Sequence, residues 1–379
     1  MLWSGTAHGN EQIYPLAPTD TSSPRATLTS FIDNIEEAFR RFQRGEQYPS
    51  RRKWHQGVLQ SIDKTLQCLD LSQVAPALVR DKGVESAVFL KEVLDRIDLP
   101  PYIEIPDVQS AEAKDLTKWT IPHTEITIAK LLNGPRQGEF LFTPQTVQRA
   151  REFYRRVEHL PYKKGATKGL LQNYLYSPGY LIPWEWIAAL PAWTKRPFLD
   201  QTVWQWIGLS LLVLVGGVLF LLIFRWGRRW DKAQPEGRIW RRFGRLFAAV
   251  AGFIIPYAIN LSLADQLGIT GAVRRVVSSI MEIAIFISFA WLVVLLLERV
   301  AQAVIRANST RLSTLDKQVV RIVFRIVSFS VVFYMLLKIS EHFGMPLTPL
   351  LAGLGVGGVA VALAARGTIE NIIGGFILG

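Results

Sequence analysis

The chain has one cysteine, Cys68, among 379 residues. That excludes an intrachain disulfide and a cysteine-based metal site. Histidine is scarce too, and His8, His55, His123 and His159 show no spacing that would gather them around a metal. There is no glycine-rich phosphate loop and no nucleophile motif. No catalytic residue, metal or cofactor is therefore expected, and the chain is not expected to be an enzyme. Acidic residues run short in the second half. Residues 1–200 hold 25 Lys and Arg against 23 Asp and Glu, whereas residues 201–379 hold 18 against 8. The surplus positive charge thus belongs to the more apolar half, which argues against a nucleic-acid partner. Met1–Pro24 has no charged stretch followed by an apolar core, so it is not a signal peptide as it stands.

What is present is hydrophobicity, at 49% of residues and a mean hydropathy of +0.19. A spanning helix needs about 20 mostly apolar residues. Five stretches meet or approach this: Thr202–Phe224, Leu246–Leu263, Val276–Leu297, Ile322–Ile339 and Leu347–Ala365. Arg225–Arg245 carries eight Lys and Arg, and Glu298–Arg325 carries six, while Ala264–Arg275 has two and Ser340–Pro346 none. Basic loops stay in the cytoplasm. The expected orientation has both basic loops and the C-terminus inside and the N-terminal domain outside, in a bacterial inner membrane. Export of that domain then calls for either a cleaved signal upstream of this numbering, which is the favoured expectation, or a first span that acts as the signal. Trp184, Trp186, Trp193, Trp204 and Trp206 flank one end of the first span, and Trp226, Trp230 and Trp240 the other, the placement of an aromatic belt. Glu282 is an acid within the third span, which by default suggests a function; the simpler reading, and the favoured one, is proximity to the outer interface or pairing with Arg274 or Arg275.

Residues 25–180 read as a small mixed, mostly helical domain after a flexible segment, 1–24. Leu28, Phe31, Ile32, Ile35, Phe39 and Phe42 recur at helical spacing, with Ser23 and Pro24 as a start signal. Trp54–Leu69 and Val84–Ile97 give two more helices. Thr124–Leu132 and Glu139–Phe142 flank a turn-rich stretch and read as a hairpin. Thr143-Pro144 opens a further helix to about His159. Residues 181–201 read as a membrane-interface segment, 202–345 as four peripheral spans and 346–379 as a final helix of a different kind.

Ten of the 16 residues from Ala352 to Gly367 are Gly or Ala. Each interior glycine costs about 1 kcal/mol of helix propensity, and close backbone packing in the membrane is the usual compensation. At 100° per residue Gly355, Gly358, Ala362 and Ala365 share one face, and Ala352, Val356, Ala360 and Ala364 another. Two small faces suit a ring in which each copy packs on both neighbours, although a single tightly packed helix in a bundle would use such contacts too. The stripe between the faces is either Val359, Leu363 and Arg366 or Leu354, Gly357 and Val361. Periodicity leaves that open. Gly367 is a candidate hinge, and Thr368–Leu378 suits an interfacial helix.

The run from Ala352, the Leu363-Ala364-Ala365-Arg366-Gly367 stretch and Asn371-Ile372-Ile373-Gly374-Gly375 together resemble the small-conductance mechanosensitive channel family, over about Gly344–Gly379. The resemblance implies a homo-heptamer with this helix lining the pore. It also implies Val359 and Leu363 as the apolar seal, Arg366 at the inner mouth, a kink at Gly367, and Asn371 and Gly375 as the family signature. The family often has Leu at the position of Val359 and commonly Gln at that of Arg366, so a softer seal and some anion preference are expected. Its cytoplasmic β and mixed α/β domains would follow the helix. The expected fold is a mainly α polytopic membrane protein of about five spans, with a kinked pore helix and an N-terminal extramembrane domain. The expected function is tension-gated release of ions and small osmolytes on hypo-osmotic shock, with membrane lipids and copies of itself as partners. The alternatives are a secondary transporter and a membrane-anchored sensor with an extracytoplasmic ligand-binding domain.

Overall fold

A computed structural model describes residues 18–44, 51–179, 182–233, 243–307 and 314–377. The chain divides into two compact units. One is drawn from the residues up to Gln73 and from Arg80–Tyr174, the other from Leu175 onward together with Val74–Val79.

The first unit contains α1 (Pro24–Gln43), α2 (Arg51–Leu66), α3 (Val79–Leu94), α4 (Val108–Ala113), strands β1 (Lys118–Thr120), β2 (Thr127–Lys130) and β3 (Phe140–Phe142), then α5 (Pro144–Val157) and α6 (Leu170–Tyr176). The helix expected from Ser23 is α1. The Ser23 hydroxyl accepts from the Ala26 amide at 3.2 Å, as an N-cap should, and Leu28, Phe31, Ile35 and Phe39 turn one buried face inward. Of the segment 1–24 read as flexible, residues 1–17 lie outside the described residues. Its end is fixed: Thr21 and Ser23 are buried, and the Thr21 carbonyl accepts from the Phe140 amide at 2.8 Å.

The expected hairpin is β2–β3, paired antiparallel with Ile128 opposite Phe142, and β1 adds a third strand on β2. Thr143 caps α5 through its side chain. The core gathers Phe31, Leu69, Leu90, Ile121, Ile126, Ile128 and Phe142. Running through it is α3, buried on every side from Glu85 to Leu94, which forces its charges to pair. Lys91 Nζ lies 2.5 Å from Asp95 and 3.1 Å from Glu36, and the Glu92 carboxylate accepts from Arg96, the Tyr162 hydroxyl and the Leu171 amide. Burial pushes the Asp95 carboxyl up, against the pull of Lys91.

The second unit begins with the short helix α7 (Trp184–Ala189) and a two-stranded hairpin, β4 (Pro197–Phe198) and β5 (Gln201–Thr202). Five long helices follow: α8 (Val203–Ala233), α9 (Phe243–Asp265), α10 (Gly271–Ala307), α11 (Thr314–His342) and α12 (Thr348–Ile377). All five contain a stretch long and apolar enough to cross a membrane. The fold is thus that of a mainly α polytopic membrane protein. Neighbours in sequence pack together from α8 to α11. They approach closely where glycine removes the side chain. A methyl placed on Gly216 would meet Ile259 at 2.8 Å, and one on Gly252 would meet Ser288 at 2.6 Å. At Gly227 and Gly244 the backbones of α8 and α9 are in direct contact. At 37 residues, α10 is about 55 Å long, well beyond a hydrocarbon layer of about 30 Å. Its ends therefore reach past the apolar core.

Candidate pore helix and its supports

Residues 201–205 and the turn between α9 and α10 brace the start of α8. The Gln205 amide donates to the carbonyls of Leu267 and Gly268 at 3.2 and 3.1 Å, and its carbonyl accepts from the amide and hydroxyl of Thr202 at 2.7 and 2.8 Å. Gln201 donates to the Thr270 carbonyl at 3.1 Å. Both glutamines are buried, so these bonds satisfy groups that water cannot reach. Beside them Ile187, Trp204, Leu209, Leu263, Leu267 and Ile269 form a small apolar core. Trp204 thus packs inside rather than joining the expected belt, whereas Trp186, Trp193, Trp226 and Trp230 are exposed. Trp240, Arg238, Arg241, Arg242 and Arg311 lie outside the described residues. A glutamine at the mouth of a span reads from sequence as an interface residue. The carbonyls that the Gln205 amide reaches lie more than 60 positions away, beyond any local signal.

The root of α12 is a tight turn. The Gly344 amide donates to the Glu341 carbonyl at 2.9 Å and the Met345 amide to the Ser340 carbonyl at 2.8 Å. Gly344 has φ +69°. This is a Schellman cap, which wants glycine at its left-handed position. Three residues after Met345 the next helix starts.

From there α12 is open on all sides. None of its membrane-length window is buried. Val356, Val359, Val361 and Leu363 are 61–75% exposed. Nothing lies within 4 Å of a methyl built on Gly353, Gly355, Gly357, Gly358 or Gly367. Ala352, Ala360, Ala362 and Ala364 are exposed and Ala365 half-buried. Val359 and Leu363, four residues apart, stand one turn from each other on one stripe. Arg366 Nε donates to Glu370 at 2.7 Å across one turn, so its charge has a partner that the sequence reading did not give it. The helix passes through Gly367 to Ile377 without interruption, where a kink was expected. Glycine permits a bend without imposing one. Asn371 and Gly375 lie on this helical continuation.

Glu282 of α10 meets His342, the last residue of α11, with Oε2 and Nε2 3.0 Å apart. The partners expected for it, Arg274 and Arg275, lie near the start of its own helix. His342 lies 60 positions on, and only the antiparallel packing of α10 and α11 brings it there.

These helices define an α-helical membrane protein whose final helix carries two small faces and an apolar stripe. The family profile described as "Mechanosensitive ion channel, transmembrane helices 2/3" matches residues 323–366, which cover most of α11 and the upper part of α12. An uncharacterized MscS family protein of Helicobacter pylori is 30% identical over 90 residues, 24% of this chain and 14% of that protein. The small-conductance mechanosensitive channel MscMJ of Methanocaldococcus jannaschii is 38% identical over 64 residues, 17% of this chain and 18% of that one. The low conductance mechanosensitive channel YnaI of Escherichia coli is 38% identical over 58 residues, 15% and 17% of the two chains. The matches thus span under a fifth of these relatives' lengths. No solved structure matches. Through its α11–α12 segment the chain is similar to the MscS-like mechanosensitive channel family.

Proposed function

We propose that the chain is the subunit of a mechanosensitive ion channel, gated by membrane tension and releasing ions and small osmolytes on hypo-osmotic shock. The observation that carries this is α12, an apolar helix with two small faces and no packing partner along them among the described residues. A helix that bears so many glycines against their propensity needs partners that approach its backbone. Copies of the same helix around an axis supply them on both sides. A homo-heptamer in a bacterial inner membrane is the assembly that the family likeness favours, with the first unit outside and the end of α12 inside.

In the closed state Val359 and Leu363 form two apolar rings about 6 Å apart along the helix, narrow enough to expel water. Tension favours whichever state has the larger in-plane area, because it multiplies the area difference. Opening therefore tilts and parts the α12 helices, with Gly355, Gly358, Ala362 and Ala365 sliding over Ala352, Val356, Ala360 and Ala364 of the neighbour. A bend at Gly367 belongs to the assembled ring, where α12 leaves the membrane. The Arg366–Glu370 pair is exposed and worth a few tenths of a kcal/mol. It offsets part of the positive ring at the inner mouth, so the anion preference expected from Arg366 alone is weakened.

The test is patch recording under suction. Val359→Ser and Leu363→Ser wet the seal and lower the gating tension. Unchanged thresholds and conductance in both variants would sink the gate assignment.

A further inference from the structure

Across the peripheral helices α9, α10 and α11 runs a chain of polar side chains in an otherwise apolar setting. Asn260 of α9, Ser278 and Glu282 of α10, and His342 of α11 follow one another. Ser278 Oγ is 3.0 Å from the Asn260 side-chain oxygen and 3.4 Å from Glu282 Oε1, and Glu282 Oε2 is 3.0 Å from His342 Nε2. A hydroxyl has one proton to give. Turning the Asn260 amide over, a choice that coordinates alone do not fix, lets asparagine donate to serine and serine to the carboxylate. The imidazole then donates from the other side. Phe286 and Phe343 flank the His342 ring, with centroids 6.4 and 5.5 Å away. Both Glu282 and His342 are partly buried. An ionisable group within an apolar span, as Glu282 is, suggests a role by default.

What gives this chain a mechanical meaning is its end point. His342 closes α11, and the hydrogen-bonded Gly344 turn leads from it directly into α12. Whatever fixes His342 fixes the root of α12. Through Glu282 that root is tied to α10, which packs on α9, which packs on α8.

We propose that the Glu282–His342 contact is a latch. It holds the root of the pore helix against the peripheral helices and parts as the channel opens. The proposal rests on the tension-gated reading above. Glu282 and His342 are positioning residues: neither is assigned to the pore lumen.

Three measurements on the full chain test it. First, Glu282→Ala and His342→Ala each lower the gating tension, and the double variant lowers it no further, because both remove one contact. His342→Gln, which keeps an N–H donor, retains most of the wild-type threshold. Second, Glu282→Cys beside the native His342 makes a thiolate–imidazole pair suited to a soft divalent ion. Micromolar Cd2+ then raises the threshold and a chelator reverses it. Adding His342→Ala abolishes the effect. Third, in vesicles without any current, Cd2+ slows maleimide labelling of Glu282→Cys by about tenfold or more only when His342 is present. A wild type that gates while the single variants keep its threshold, or add independently, overturns the latch alone. Cd2+ protection without any tension-gated current in the wild type overturns both the functional reading and the latch's part in opening. Absence of Cd2+ protection overturns the contact itself.

Discussion

Cys68 is the sole cysteine and is fully buried. Burial pushes its thiol up to about 12, which leaves the reactive thiolate about a thousandfold scarcer than in an ordinary thiol at neutral pH. Labelling of Cys68 therefore reports openings of the first unit and nothing else. That makes it a probe for the ion network on α5. Hydrogen bonds from Arg149 hold the Glu152 carboxyl down to about 2 and lower that of Glu125, with Arg156 assisting both. A carboxylate whose folded value lies below its unfolded one stabilises the fold above about pH 4, and that contribution is lost as the pH falls toward 2. These groups are exposed, so the effect is small. Arg149→Gln should speed Cys68 labelling at pH 6, measured with a thiol reagent active in acid. The ratio to wild type should shrink toward one near pH 2. A ratio of one already at pH 6 would show that the network contributes nothing to the folded state, and a raised ratio that does not shrink toward pH 2 would show that ionisation of Glu125 and Glu152 is not the cause.

The elements were legible in the sequence wherever one short-range rule dominates. Apolar spacing with the Ser23 cap marked α1, the turn-rich stretch marked β2–β3, and hydropathy marked five spans to within several residues at most ends. The end of α8 at Ala233 and the 37 residues of α10 ran further, because Lys, Arg and Gln sustain a helix after the apolar run has ended. Strand β1 was missed: Lys118, Trp119 and Thr120 are too few to show alternation, and only pairing with β2 makes them a strand. Contacts between helices were not legible. Gly227 and Gly244 look like ordinary interruptions of a basic loop, yet they are the point where α8 and α9 touch backbone to backbone, with the Asp231 carboxylate accepting from the Gly244 amide at 2.9 Å. An added methyl would press on main chain, which cannot turn aside. Gly227→Ala and Gly244→Ala should each destabilise the second unit by about 1–3 kcal/mol, seen as earlier heat-induced aggregation of the detergent-solubilised protein. Gly217→Ala, where nothing lies within 4 Å, is the control and should leave the transition in place. Equal behaviour of all three would mean that α8 and α9 do not cross there.

At the scale of the whole molecule, one chain does not complete its own site. The proposed seal, small faces and inner stripe of α12 are properties of the proposed ring, so neither periodicity nor the folded monomer can choose between the two stripes. The family likeness chose Val359 and Leu363, and the open flanks of α12 are the vacancy that copies would fill. The two small faces differ from the lipid-facing surface in a way that can be probed by bulk alone. Gly358→Trp and Ala362→Trp would fill the narrow contact between neighbouring α12 helices, while each remains apolar enough for membrane insertion. The expected outcome is membrane-inserted protein that no longer forms the wild-type particle, read as a smaller mass in detergent and a loss of tension-gated current. Val361→Trp, on the stripe opposite the proposed seal, should leave assembly intact. The wild-type particle itself should show sevenfold symmetry in projection. A monomer, a dimer or another ring number for the wild type would break the heptamer proposal. Unaltered assembly in both tryptophan variants would break the packing proposal on which the pore depends.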